Sequence, residues 1–226
     1  MANGVPSIPQ LGKYNVNRPG FEAIKATLYD SAAYAAAGQS VLTFFQQPVG
    51  QGTAVLGGGV KTLSDTNMNL AGQLPANQMF LVQSIEVAFF PTTPTVAAAM
   101  PAAFGAQVAA VQVNDAYIFR RAGNLQMVVG SKPYLQEAPL AKFPAKTHFN
   151  IGAALADTST AGANLQSRIA YAGQIGRPFL LDPAPLLLES SQNFSVTLNW
   201  PEGNQAISNP AKVVVILDGY LYRRSQ

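Results

Sequence analysis

The chain has 226 residues, of which 14 are basic and 11 acidic, so only 11% of its side chains are charged. Its 31 Gln and Asn residues outnumber the charged ones, while the hydrophobic fraction of 48% is ordinary for a folded domain. This composition excludes intrinsic disorder and coiled coils. The absence of cysteine excludes disulfides, thiolate nucleophiles and cysteine zinc sites.

The net charge of +3 comes from scattered basic residues, which form pairs at most. A dedicated nucleic-acid-binding protein usually carries a dense basic stripe, so only nonspecific contact with nucleic acid is expected. Charged side chains keep proteins apart in solution, and a surface that lacks them favours assembly.

Residues 1–19 contain three prolines and several Asn and Gly residues. They lack the apolar run of a secretory signal. We expect an extended N-terminal arm, which is either frayed or docked on a neighbour. Residues 20–226 are predicted to form a single domain, since β proteins of this size are routinely one domain.

The first half of the chain contains three predicted extended segments. Residues 20–38 fit helix and strand patterns, and an extended or mixed segment is favoured. Ser40–Gln46 is rich in Val, Leu, Thr and Phe, which favours a strand before a Gly-rich loop. Met79–Phe90 is the strongest predicted strand, and it ends at Pro91. Alternation there predicts two faces, with Leu81, Ile85, Val87 and Phe89 on one and Phe80, Val82, Glu86, Ala88 and Phe90 on the other.

Residues 92–113 carry no charge, but their prolines and weakly hydrophobic alanines argue against a membrane span. An inserted loop with a short helix near Ala102–Val111 is predicted instead. Tyr117–Arg121 and Leu125–Val129 are predicted to be two strands joined by a tight turn at Gly123 and Asn124.

Prolines after residue 131 predict an irregular or edge segment. Short strands are predicted at Asn150–Ala156 and Arg168–Ala172, with a strand pair or one long strand at Leu186–Trp200. Val213–Arg223 is predicted to close the chain as a core strand, with a break at Asp218. About eight strands, Gly/Pro-rich loops and little helix predict an all-β fold: an antiparallel eight-stranded jelly-roll sandwich with inserted loops, one short helix and the N-terminal arm.

No motif in the chain supports catalysis, and no catalytic, cofactor-binding or metal-binding residue is assigned. His148 is the only histidine, so two-histidine metal motifs are impossible. Gly57–Thr62 resembles the end of a phosphate-binding loop, but Val60 stands where glycine is required before the lysine. Glu86 and Glu189 are candidate paired carboxylates of a glycosidase, but nothing in the sequence places them together. The chain is therefore predicted not to be an enzyme.

Several basic residues remain after this search, in pairs at strand ends or in loops. Either they are simply solvated, or they are inner-face contacts of a shell with a genome or an acidic lipid surface. The candidates are Arg120, Arg121, Lys142, Lys146, Arg223 and Arg224.

Five segments carry a resemblance to a known family: Lys61–Met68, Gln78–Pro91, Leu125–Pro144, Asn193–Pro201 and Val215–Arg224. The sequences of these segments resemble those of the single-jelly-roll major capsid proteins of tailless icosahedral bacteriophages, some of which have lipid-containing virions. The resemblance implies homo-oligomeric capsomers in a shell of many copies, located in the virion and assembled in the host cytoplasm. It also implies contact with other virion proteins and with an enclosed genome or internal membrane, and no cofactor or small-molecule substrate.

Other functions compete with this expectation. The chain could be another virion component, such as a spike base, decoration protein or tail tube subunit. It could also be a carbohydrate-binding jelly roll or a hydrolase, although the single tryptophan argues against a sugar-binding face. Charge is absent from residues 39–60 and 87–114, and these Gly- and Ala-rich windows are predicted to meet a neighbouring subunit.

Overall fold

The computed structural model describes residues 21–91, 115–157 and 165–224, and for residues 147–157 and 165–175 it describes the backbone. The predicted N-terminal arm and the helix predicted near Ala102–Val111 lie outside these residues. The described part contains eleven strands, a short helix α1 over residues 115–121 and a 3₁₀ turn at Leu140–Lys142. The strands are β1 (Phe21–Tyr34), β2 (Val41–Phe44), β3 (Gln78–Pro91), β4 (Asn124–Val129), β5 (Lys132–Glu137), β6 (Thr147–Asp157), β7 (Leu165–Ile175), β8 (Phe179–Leu180), β9 (Leu186–Leu188), β10 (Phe194–Asn199) and β11 (Ala211–Arg224).

The strands form two larger antiparallel sheets and one separate ribbon. Sheet A has the order β1-β11-β3-β8, and β9 also pairs with β3. Sheet B has the order β2-β10-β4-β5. Strands β6 and β7 pair with each other over eleven residues each and join neither larger sheet. Because the main hydrophobic core takes side chains from both larger sheets, the fold is an all-β sandwich, as predicted.

Alternating patterns place the inner faces of both sheets against this core. In β10, Phe194, Val196 and Leu198 are buried while the residues between them are partly exposed, as predicted. Trp200 follows this strand and is almost fully buried, and its indole N–H donates to the carbonyl oxygen of Phe119 at 3.0 Å. This bond satisfies the polar end of the largest core side chain.

The predicted division of β3 into two faces is wrong, because the strand contains a bulge. The register between β3 and β11 shifts at Gly219, because Gln83 is an extra residue between Val82 and Ser84. An inserted residue reverses the alternation beyond it. Consequently, the core face carries Phe80 and Val82 before the bulge but Ile85 after it.

The strand predicted at Tyr117–Arg121 is wrong, because these residues lie in α1. Within and just after α1, Ile118, Phe119 and Ala122 pack on the core at helical spacing. A short apolar run fits either period, so sequence alone does not separate the two structures.

The predicted turn at Gly123 and Asn124 therefore joins a helix to β4 rather than two strands. The tight hairpin in this region lies between β4 and β5, where Gly130 adopts a φ of 61°. Strand β5 lies at the edge of sheet B, as the prolines of residues 133–144 predict. No helix in the described residues is long and apolar enough to cross a membrane.

Candidate interaction surface

The connection between β2 and β3, residues 45–77, is the longest non-strand stretch whose side chains the structure describes, and we call it the β2–β3 segment. Its Gly57, Gly58 and Gly59 all have positive φ values, which side-chain-bearing residues adopt at a cost. The segment has no strand or helix of its own, so tertiary contacts must hold its course. Its sequence contains two charged residues, Lys61 and Asp65.

Lys61 anchors the segment to the body through a buried ion pair. Its ammonium group lies 2.7 Å from Oδ1 of Asp30 on β1, and the two side chains are 5% and 1% exposed. The second carboxylate oxygen of Asp30 accepts the backbone N–H of Phe45 at 2.6 Å. Asp30 thus ties the start and the middle of the segment to the same point of β1.

Burial raises the pKa of Asp30, because the charged carboxylate has lost water. The hydrogen bonds from Lys61 and Phe45 and the charge of Lys61 oppose that effect. A buried carboxylate held in this way depends on its cation, since removing one partner of a buried pair leaves an uncompensated charge.

Asp65 forms the second anchor. Its carboxylate oxygen lies 3.0 Å from the ammonium group of Lys212 on β11, and its own side chain is largely buried. Burial alone would raise the pKa of Asp65, but hydrogen bonds from Lys212 and the Thr62 backbone, with the charge of Lys212, lower it overall. The backbone carbonyl of Asp65 also accepts the hydroxyl of Ser31 at 2.5 Å.

Next to Asp65, the segment covers the edge of sheet A. Thr66 forms an isolated antiparallel bridge with Asp30. The side chain of Asn67 accepts the N–H of Tyr29 and donates to the carbonyl oxygen of Thr27. Strand β1 is the edge strand of its sheet, and covering its unpaired backbone groups blocks uncontrolled strand addition.

As a result, both charges of the β2–β3 segment point inward and its outer side is neutral. The same stretch exposes large apolar side chains, most strongly Leu63 at 68% and Leu56 at 56%. Six of the exposed large hydrophobic residues lie on or next to the segment: Val41, Val49, Leu56, Val60, Leu63 and Leu70. An exposed segment that is apolar and carries no outward charge is therefore a candidate interaction surface.

The structure also argues against phosphate binding by Gly57–Thr62, which resembles the end of a phosphate-binding loop. The lysine of that stretch, Lys61, is occupied by Asp30 inside the protein. A phosphate-binding lysine must instead reach its ligand.

Among the candidate basic contacts, Arg120 and Arg121 lie at the end of α1. Arg120 donates to the carbonyl oxygen of Val87 at 2.8 Å, and burial lowers its pKa. The guanidinium of Arg121 lies 6.0 Å from the ring centre of Tyr117 and is exposed. Arg120 therefore has a structural role, whereas Arg121 is accessible.

Lys142 and Lys146 follow β5 and lie in different ion pairs. The ammonium group of Lys142 lies 2.6 Å from the carboxylate of Glu137, the last residue of the edge strand β5. Lys146 lies 3.7 Å from Asp218, which also pairs with Lys25 at 3.0 Å. Both lysines are about half exposed, and such surface pairs contribute little to stability.

Arg223 and Arg224 end β11, where Arg223 pairs with Glu22 and Arg224 is exposed. Taken with the contacts above, five of the six candidates have partners on five different elements. The structure therefore distributes the basic candidates over the surface rather than gathering them around one shared partner.

The candidate carboxylates Glu86 and Glu189 are not brought together. Glu86 is buried on β3 and accepts the backbone N–H of Lys146 at 2.7 Å. Glu189 directly follows Leu188, which pairs with Phe80, six residues along β3 from Glu86. At about 3.3 Å per residue this is roughly 20 Å, well beyond the separation that a glycosidase uses. His148 lies on β6, opposite Gln174 of β7.

Sequence reasoning missed the two inward ion pairs. One signal for the first pair was present: Asp30 stands between Leu28 and Ala32 in an alternating strand, at a position that faces the core. Nothing in the sequence indicated which cation would reach it, 31 residues away.

No protein-family model, curated protein or solved structure matches this chain.

Proposed function

We propose that the sandwich is a jelly roll, and the nesting of its strand pairs supports this. The first strand pairs with the last (β1 with β11), and the second with the second last (β2 with β10). Next inward, β3 pairs with β8 and β9, and innermost β4 pairs with β5. A long hairpin that is folded over itself into two sheets produces this nesting, with β8 and β9 sharing one of eight strand positions.

We further propose that the chain is a structural virion protein, the major capsid protein of an icosahedral shell. The observation that carries this proposal is the neutral, apolar outer side of the β2–β3 segment. A chain that buries both charges of a long surface segment and exposes leucine and valine there is suited to contact with another subunit. Interfaces of this kind are depleted in Lys, Glu and Asp at their centres.

The β6–β7 ribbon supports the same proposal. Two strands of eleven residues that join neither larger sheet leave long backbone edges, and an isolated two-stranded hairpin is marginal in water. Edges of this length suit pairing between subunits. Repeated contacts between different surface patches generate rings when they close and open filaments when they do not, rather than simple dimers.

The test replaces the most exposed apolar side chains of the segment with serine. The variant Leu56→Ser/Val60→Ser/Leu63→Ser should raise the concentration needed for assembly at least about tenfold, because loss of about 1.4 kcal/mol already produces that change. The control variant Tyr134→Ser/Leu180→Ser changes exposed apolar residues on other elements. Light scattering against protein concentration measures the threshold.

The control should assemble like the unmodified chain. If the segment variant assembles at the unmodified threshold, the β2–β3 segment is not the interface. If both variants shift equally, assembly depends on general surface hydrophobicity rather than on this surface.

A further inference from the structure

A cavity of about 300 Å³ lies on the outer face of sheet A, where β3, β11 and the stretch before β6 meet. Glu86 and Phe90 of β3 line it together with Ile216 and Asp218 of β11 and with Lys146. Beyond the bulge, these two β3 residues alternate with residues that face the core, so they lie on the opposite face of the sheet. The volume is at the lower end of the roughly 300–1,000 Å³ that small-molecule sites occupy.

The carboxylate of Glu86 is a buried acidic group at this cavity. The residue is 4% exposed, and its Oε2 accepts the backbone N–H of Lys146 at 2.7 Å. Among the described residues, no cation lies within ion-pair distance of Glu86 and no donor reaches its Oε1. Since Glu86 lines the cavity, a donor bound there can supply the bond that the protein does not.

The other buried carboxylates of the described residues are better paired than Glu86. Asp30 and Asp65 each have a lysine within 3.0 Å. Asp115, at the start of α1, accepts two backbone N–H groups from the connection between β10 and β11. A buried charge is normally compensated by a cation or by several donors, because it has lost its water. Glu86 has one donor and an open cavity instead.

The second acidic group of the cavity, Asp218, has its partners within the protein. It lies 3.0 Å from the ammonium group of Lys25 and 3.7 Å from that of Lys146, and its Oδ1 accepts the hydroxyl of Thr27. The ammonium group of Lys146 is therefore engaged with Asp218 rather than with Glu86. The negative charge without a cation in this cavity is that of Glu86.

The wall of the cavity favours an organic cation over a metal ion. Ala88, Phe90, Ala145 and Ile216 form an apolar surface beside the carboxylate, and Phe90 is 48% exposed. Calcium and magnesium prefer several oxygen ligands. No group of three His, Cys, Asp or Glu side chains that could hold a metal occurs in the part of the chain that is described. An alkylammonium ion offers three donors to the carboxylate and a hydrocarbon chain to the apolar surface.

We propose that this cavity binds a small organic ammonium ion, a primary amine with a short hydrocarbon chain, through the carboxylate of Glu86. The ammonium group donates to Oε1 of Glu86, and the hydrocarbon chain contacts Phe90 and Ile216. This binding goes beyond the proposed function and does not depend on assembly, because one copy supplies the whole wall described above.

Saturation-transfer NMR of the full chain with n-butylamine tests the proposal, since this method detects weak ligands of single subunits and of large assemblies alike. At neutral pH the amine is protonated, as a lysine side chain is. The matched neutral probe is 1-butanol, which has the same length without the charge. We expect the butylammonium ion to bind at about millimolar concentration and butanol to bind at least about tenfold more weakly, because only the ammonium gains a charge-assisted hydrogen bond.

Two variants of the cavity should change this binding in opposite directions. Glu86→Gln keeps an acceptor for the N–H of Lys146 and should weaken butylammonium binding at least about tenfold. Lys146→Met keeps that N–H, removes a positive charge beside the cavity and should strengthen binding by about twofold. The control Glu202→Gln changes an exposed carboxyl outside the cavity and should bind like the unmodified chain.

Equal binding of butanol and butylammonium, or equal binding to the Glu86→Gln and unmodified chains, overturns the proposal. Weaker binding to Lys146→Met than to the unmodified chain also overturns it, because Lys146 rather than Glu86 would then hold the ligand. Displacement of butylammonium by calcium chloride, but not by sodium chloride of the same ionic strength, would assign the cavity to a metal ion. None of these outcomes bears on the proposed shell, so the two proposals fail separately.

Discussion

Replacing Lys61 with methionine isolates the buried ion pair that holds the β2–β3 segment. Methionine keeps the length of the side chain and removes its charge. The carboxylate of Asp30, 1% exposed, would lose the cation 2.7 Å away and keep the N–H of Phe45 as its main partner. Either the carboxylate stays charged without its partner or it takes up a proton, and both outcomes cost stability.

Breaking a buried pair by removing one partner costs about 3–5 kcal/mol. Since domains have only about 5–15 kcal/mol of stability, Lys61→Met should lose a large share of the total. An Asp30→Asn/Lys61→Met variant removes the orphan charge and retains an oxygen that accepts from Phe45. We expect the double variant to be more stable than the sum of the single effects predicts, by about 2 kcal/mol.

Urea unfolding measures these free energies, with fluorescence of the single buried tryptophan, Trp200, as the signal. All variants are compared at one protein concentration, because any assembly of copies would add stability by mass action. Lys132→Met, at an exposed lysine of β5, is the control and should change stability by less than about 0.5 kcal/mol. A loss below about 1 kcal/mol for Lys61→Met, or purely additive single effects, would refute the reasoning.

Two other variants test the sheet and its second anchor. Gly219→Ala should cost more than about 2 kcal/mol, because a Cβ built there lies 1.8 Å from the carbonyl oxygen of Leu81 and the bulge would have to move. Asp65→Asn should lose less stability than the unmodified chain when the pH is lowered from about 5 to about 2.5. The pKa of Asp65 lies below its ordinary 3.8 in the folded protein, so Asp65 stabilises the fold above that pH and this stabilisation is lost as the pH falls through the folded pKa.

Both variants have matched comparisons. A Cβ at Gly58 would lie in open space, so Gly58→Ala should cost only the about 1 kcal/mol of placing alanine at a positive φ. Equal losses of stability for Gly219→Ala and Gly58→Ala would contradict a clash at the bulge. Glu202→Gln changes an exposed carboxyl and should keep the acid sensitivity of the unmodified chain. If Asp65→Asn behaves like Glu202→Gln, the Asp65 anchor contributes nothing measurable.

The sequence predicted the strands wherever local pattern and burial agree. Strand β10, with Phe194, Val196 and Leu198 facing the core, follows directly from alternation. Strand β11 was also predicted as a core strand, but the break predicted at Asp218 is wrong, because β11 runs unbroken from Ala211 to Arg224 and the extra residue lies on β3. Helix α1 did not, because the pattern around Phe119 fits both periods and contacts with Tyr34 and Trp200 determine the outcome. The bulge at Gln83 was not predicted either, because one extra residue in a strand leaves no local signal in the sequence.

The sequence predicted the candidate interaction surface as a charge-free window but not as an anchored structure. The two stretches without charged side chains, residues 39–60 and 87–114, can be read directly from the sequence. The inward direction of Lys61 depends on Asp30, which is far away along the chain, and the direction of Asp65 depends on Lys212, 147 residues away. Long-range ion pairs of this kind are set by the topology of the sandwich, which no local pattern encodes.

We propose that copies of this chain assemble into a closed shell. Sedimentation velocity of the purified full chain over a range of salt and protein concentrations, with electron microscopy of the fastest fraction, tests it most directly. We predict a fast, uniform boundary that contains closed, round particles of constant size. A single species of 23.8 kDa under every condition would contradict the claim.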